Sequence, residues 1–207
     1  MNHRLLSRLA LLALSSCLAL PIGCGSDPQP LPPKVATGLD GLRNEAIALK
    51  GQIEKVTAAL SDLVMKPQAD LQPQSFSFAQ ELAGLEGRLE RSQAQRQVAG
   101  NMVLEQFAFW DSQLDKLESE EAKEVAAERR AATAETFDGI QMKIEALREK
   151  FTPFFTDLRD VRQYLKGDLS LQGLQTMKPV AERVLAAQGD ILSGLDGVVA
   201  SITAAIG

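Results

Sequence analysis

The side chains suited to nucleophilic, redox or metal chemistry are few and lie at one end of the chain. His3 is the only histidine, and Cys17 and Cys24 are the only cysteines. A thiol can act as a nucleophile once ionised, ligate a metal or close a disulfide. Beyond residue 24 no imidazole remains to serve as the base of a Ser-His-Asp or Cys-His arrangement. A di-iron bundle needs paired Glu-x-x-His segments, and the chain has none. Asp and Glu number 27, but glycosidase chemistry needs two acids at a set separation across a cleft. Acids on the flanks of helices are solvated faces instead. Gly189, Gly194 and Gly197 are not spaced as a phosphate-cradling loop. The expectation is a protein that is not an enzyme and holds no cofactor and no metal. A formal net charge of -5 also speaks against nucleic acid as a partner.

The surroundings of Cys24 give its thiol another use. Arg4 and Arg8 supply a positive start, and Leu9-Ala10-Leu11-Leu12-Ala13-Leu14 with Leu18-Ala19-Leu20 supplies an apolar middle. That is the layout of an export signal. Pro21-Ile22-Gly23-Cys24 resembles a bacterial lipoprotein processing site, departing at Pro21, where that family usually has Leu. Leu14-Ser15-Ser16-Cys17 matches letter by letter, yet cutting there would leave greasy Leu18-Ala19-Leu20 in the product. The expectation is a signal peptide over residues 1–23, with Cys24 as the lipidated first residue. The resemblance implies a membrane anchor through lipid, palmitate included, on Cys24. Gly25 in place of Asp implies the periplasmic face of the outer membrane in the cell envelope. A plain secretory signal or an uncut anchor are the competing readings. A span needs about 20 apolar residues, and this run is shorter and holds Pro21. Removing residues 1–23 deletes two arginines and no acid, so -5 becomes -7.

Residues 24–34 form the acylated cysteine and a proline-rich linker, Gly-Ser-Asp-Pro-Gln-Pro-Leu-Pro-Pro-Lys after Cys24. Extended polyproline geometry at about 3.1 Å per residue makes it a ~30 Å spacer. Periodicity then begins. Leu39, Leu42, Ala46, Leu49, Ile53, Val56, Leu60 and Leu63 recur at alternating spacings of three and four, a heptad seam that no strand produces. This predicts helices over about 35–66, 75–118, 120–166 and 170–206. Pro67 and Pro73 bracket the first turn. Ser119 and Ser170 are placed to cap the third and fourth helices, and Thr152-Pro153 to kink or restart the third. The second seam runs through Phe78, Leu82, Leu85 and Leu89, then Val103, Phe107, Trp110, Leu114 and Leu117. The third runs from Val125 and Ala132 to Leu165. Residues 90–97 interrupt the second seam with polar side chains. Ser92 and Arg96 fall on the seam there, as a register-fixing polar layer with Arg96 facing an acid such as Glu45, or as a hinge or binding notch.

Long amphipathic helices must bury their stripes on one another, and short connections make neighbours antiparallel. The fold class is therefore all-α, an elongated antiparallel four-helix bundle or coiled coil over residues 35–207. Hairpin matching puts Val35 near Glu105 and Leu63 near Phe78. The second and third helices then project past the other two around residues 108–132, at the anchor end. Phe109, Trp110, Lys116 and Lys123 on that tip are the candidate partner surface, with core packing as the competing role for the aromatics. Ile191–Gly207 is the most apolar stretch after the signal; Asp196 and its short length favour core packing over spanning.

Residues 151–169, Phe-Thr-Pro-Phe-Phe-Thr-Asp-Leu-Arg-Asp-Val-Arg-Gln-Tyr-Leu-Lys-Gly-Asp-Leu, resemble a signature of a bacterial coiled-coil lipoprotein family catalogued as a domain of unknown function. Pro153, Leu158-Arg159-Asp160 and Tyr164-Leu165-Lys166 stand in the family's order, and Trp110-Asp111 with Leu114 is similar to its second helix. The likeness covers most of the chain after the signal. It departs at Gly167-Asp168, where the family has Asn-Leu or similar, and the charged tip lacks the family's usual loop. The resemblance implies an exported helical protein and assigns no catalytic residue. The function expected is a non-catalytic, membrane-anchored envelope lipoprotein acting as a helical spacer or scaffold, with a protein partner or self-association. The alternative is a bundle that binds a lipid or other apolar ligand.

Overall fold

The computed structural model describes residues 30–207. The signal segment, Cys17, Cys24 and most of the spacer lie outside the described residues. Four helices make up nearly all of the rest: α1 (Pro33–Met65), α2 (Gln72–Leu114), α3 (Glu120–Gly167) and α4 (Leu171–Ile206). They form an antiparallel ring in which each packs on its neighbours in chain order and α4 closes on α1. The α2–α3 junction is the sparsest of the four.

Local chemistry explains most helix ends. Pro33 opens α1 at a position where a missing N–H costs nothing. α2 starts at Gln72 rather than 75, because Pro73 also fits a first turn instead of standing before it. α2 ends at Leu114 rather than 118. The Lys116 and Leu117 N–H groups donate to Gln113 and Leu114 carbonyls at 3.0 and 3.1 Å, a tighter i→i+3 winding that closes the helix. Ser119 caps α3 weakly, accepting from the Ala122 N–H at 3.4 Å. Ser170 caps α4 better, accepting from Gly173 at 3.0 Å. Pro153 does not restart α3: the helix runs through it. It sits on an exposed face, where water can reach the Glu149 carbonyl that loses its usual donor. Pro179 lies inside α4 in the same way.

The expected seams meet at the bundle axis. Leu39, Ile53, Val56, Leu60 and Leu63 of α1 are essentially inaccessible, as are Phe78, Leu82 and Leu85 of α2, Leu158 and Val161 of α3, and Ala181 and Ile202 of α4. Burying one such side chain contributes about 1.5–3 kcal/mol. Close approach is set by small residues. A Cβ on Gly38 would lie 3.2 Å from the Ala99 Cα, so α1 and α2 nearly touch there. The core forms two clusters. The larger runs from Ala46 to the 66–71 turn, and the smaller joins Val35, Leu39, Leu42, Val103, Ile140, Val198 and Ile202.

Two expectations need correction. The inward stripe of α3 does not begin at Val125 and Ala132: Val125 is 58% exposed and Ala132 is exposed too. Val125 lies on the hairpin beyond the start of α1, and beside Ala132 it is Thr133 that takes the buried position. Arg96 does not face Glu45. It pairs with Glu145 of α3 at 2.8 Å, and Arg88 takes Glu45 at 3.4 Å. α4 is long and apolar enough by composition to cross a membrane, with a mean hydropathy of 1.4 in its best window, 22% of which is buried. Its inner face, Ile191, Leu195, Val198 and Ile202, is packed in the bundle, and Asp196 is bound by Lys50 at 2.7 Å.

Candidate functional site

The tip is a two-helix hairpin made by the last turns of α2, the 115–119 connection and the first turns of α3. The described chain begins beside it. The Arg129 guanidinium donates to the Pro30 carbonyl at 3.4 Å, and Lys34 pairs with Glu105. A groove of about 640 Å³ runs along the hairpin, walled by Trp110, Leu114, Leu117, Ala122, Val125 and Arg129.

Cations hold the aromatic rings in place. Phe107 and Trp110 stack with centroids 6.0 Å apart. Arg129 lies 5.8 Å from the Trp110 ring centroid and Arg130 4.9 Å from that of Phe107. Arg130 also pairs with Asp111, its Nη2 donating to Oδ2 at 3.1 Å, while its buried Nε lies close to Oδ1 without the alignment of a hydrogen bond. These contacts cross-link α2 to α3 where no other helix helps.

Of the four residues expected on the partner surface, Trp110 alone lines the groove. Phe109 is 57% exposed, so it does not fill a core layer. It sits one position from Trp110 and hence about 100° around the helix. Lys116 is exposed in the connection. Lys123 lies in the first turn of α3, paired with Glu120 at 2.7 Å. Val125 and Arg129 also line the groove, and Phe107 stacks on Trp110; Val125 and Phe107 stand on the expected seams and Arg129 among the charged residues expected at the tip, so what the sequence did not bring out is the pairing of Arg129-Arg130 with the two rings. Cys24 lies outside the described residues. Among those residues no group of three or more acids and thiols converges as a metal site would require.

A second concavity lies lower, opening between α2 and α3 where Ser92, Gln93 and Arg96 of the polar run reach its edge. It is a slot of about 260 Å³ with Leu42, Ala46, Leu49, Leu89, Ile144, Leu147, Phe151, Leu195 and Val198 as walls. Ser92, Gln93, Arg96 and Arg148 stand at its rim. The two core clusters part at this level, between Leu42 and Ala46 on α1 and between Leu195 and Val198 on α4. No protein-family model, curated protein or solved structure matches this chain.

Proposed function

We propose that this protein is a non-catalytic lipoprotein of the cell envelope, tethered through Cys24 to the periplasmic face of the outer membrane, whose rod is a spacer and whose tip docks a protein. The observation that carries the reading is the entry point of the chain: Pro30 abuts Arg129 and Lys34 abuts Glu105, so a lipid on Cys24 would lie next to the tip. Even if fully extended, the six residues from Cys24 to Pro30 would reach only about 20 Å. The far end, at the 66–71 and 168–170 turns, is then about 50 Å further away along the 33 residues of α1.

Charge at the tip favours a protein over the lipid surface itself. Residues 108–132 carry Asp111, Asp115, Glu118, Glu120, Glu121, Glu124 and Glu128 against Lys116, Lys123, Arg129 and Arg130. Such an excess of acid is repelled by anionic headgroups. The exposed Phe109, Val125 and groove-lining Trp110 supply the apolar and aromatic contacts common at protein interfaces.

Cell fractionation tests the anchor. Wild-type protein is expected with membranes and Cys24→Ser in the soluble fraction; a variant that still pellets would remove the tether from the reading. Photo-crosslinkers placed at Lys116 or Lys123 in cells are expected to trap a defined protein adduct. The same probe at Gln163 on the bundle body serves as the comparison.

A further inference from the structure

The slot between α2 and α3 is a poor structural layer. Its deeper walls are apolar and do not meet, which leaves a cleft open to solvent at its polar rim and forfeits the packing contacts that the rest of the bundle has. Its volume of about 260 Å³ falls just under the ~300 Å³ at which ligand pockets begin. It opens at the junction where α2 and α3 touch least, with the Arg96–Glu145 pair spanning it.

The rim is charged, and the charge has a sign. Glu145 is shared between two guanidinium groups, Arg96 at 2.8 Å and Arg148 at 3.3 Å. Two cations and one acid leave one positive charge over the opening. Glu145 itself is half exposed, and exposed ion pairs of this kind are weak and easily exchanged. A ligand carboxylate has the same fork geometry as the side chain it would replace.

We propose that this slot binds one long-chain fatty acid, its alkyl chain between α2 and α3 and its carboxylate held by Arg96 and Arg148 in place of Glu145. Every methylene that enters leaves water for apolar walls, and Phe151 and Leu147 lie where the chain would run. The tip groove has no such surplus of positive charge, because its lining sets Glu121 against Arg129, which already lies over Trp110. The inference goes beyond the tether reading and does not depend on it.

Calorimetric titration of delipidated full-length protein with palmitate at pH 8 tests it. The expected result is saturable binding of one palmitate per chain. Arg96→Gln with Arg148→Gln should weaken palmitate at least tenfold and leave hexadecanol unchanged. Ala46→Phe, which fills the slot from α1, should abolish binding of both. The two arginines are on the rim, so their replacement decides the matter even if the Ala46 variant does not fold. Absence of saturable palmitate binding would overturn the proposal, as would equal affinity for palmitate and hexadecanol. Tenfold tighter binding of palmitoyl lysophosphatidylglycerol than of palmitate would overturn the fatty-acid assignment in favour of a phospholipid.

Discussion

Gln74 and Glu86 show how single polar side chains hold this rod. Gln74 is buried at the start of α2. Its amide nitrogen donates to the Asp62 and Lys66 carbonyls at 3.0 Å each and to Asp62 Oδ2 at 2.8 Å, while its oxygen accepts from the Gln68 N–H at 3.0 Å. It thus satisfies the Lys66 carbonyl just past the end of α1, adds a second donor to the Asp62 carbonyl, which already accepts from the Lys66 N–H at 3.1 Å, and pins the first turn. Gln74→Ala leaves those groups without that partner and should cost about 1–3 kcal/mol. Urea denaturation measures it, and an unchanged midpoint would contradict this role. Glu86 instead bridges α2 to α3. Arg162 grips it bidentately at 2.7 and 3.0 Å, and that hydrogen bond, with Arg159 and Lys166 adding field, holds its carboxyl below an ordinary glutamate's 4.5. A depressed folded value means that the stabilisation is complete above about 4.5 and fades as pH falls through the lower folded value. Glu86 is a third exposed, so solvent screens the effect. Glu86→Gln should therefore be less stable than wild type at neutral pH, with the difference shrinking in acid. Thermal melts at pH 7 and pH 3 compare the two.

At the scale of helices, legibility follows what each seam depends on. The seams of α1 and α4 were readable because every third or fourth apolar residue faces neighbours along the whole helix. Leu39 to Leu63 and Leu174 to Ile202 are buried accordingly. The α3 stripe at Val125 and Ala132 misled because periodicity reports a face, not whether anything covers it. Pro73 and Pro153 misled for another reason: proline fits a first turn, and an exposed helix interior can lose one hydrogen bond to water. Heptad position also leaves open which neighbour a long side chain reaches. Arg96 on α2 can turn to α1 or α3, and it turns to Glu145. The slot left a trace in the polar run 90–97, but its volume depends on how far α2 and α3 splay. That separation is a property of four packed helices and not of any one seam. Conversely, the tip followed from arithmetic on helix length, since short turns leave the middle pair nowhere to go but outward.

The whole molecule divides into a bundle that is stable by packing and a hairpin that is stable by attachment. α2 and α3 have 43 and 48 residues, against 33 and 36 for α1 and α4, and the surplus projects at the tip. Neither core cluster draws a residue from 109–131. The hairpin's own ties, Arg130 to Asp111 and Arg129 over Trp110, lie within it. Helices joined only to each other over so few turns have little to resist fraying beyond what the bundle passes on. Replacing residues 109–131 by a four-residue turn should therefore leave thermal stability nearly unchanged, shorten the rod by about 15 Å at ~1.5 Å per residue, and abolish partner capture at the tip. Calorimetry and small-angle scattering measure the first two, and crosslinking the third. A large drop in melting temperature would mean that the tip stabilises the bundle, so that its residues are structural and not reserved for a partner.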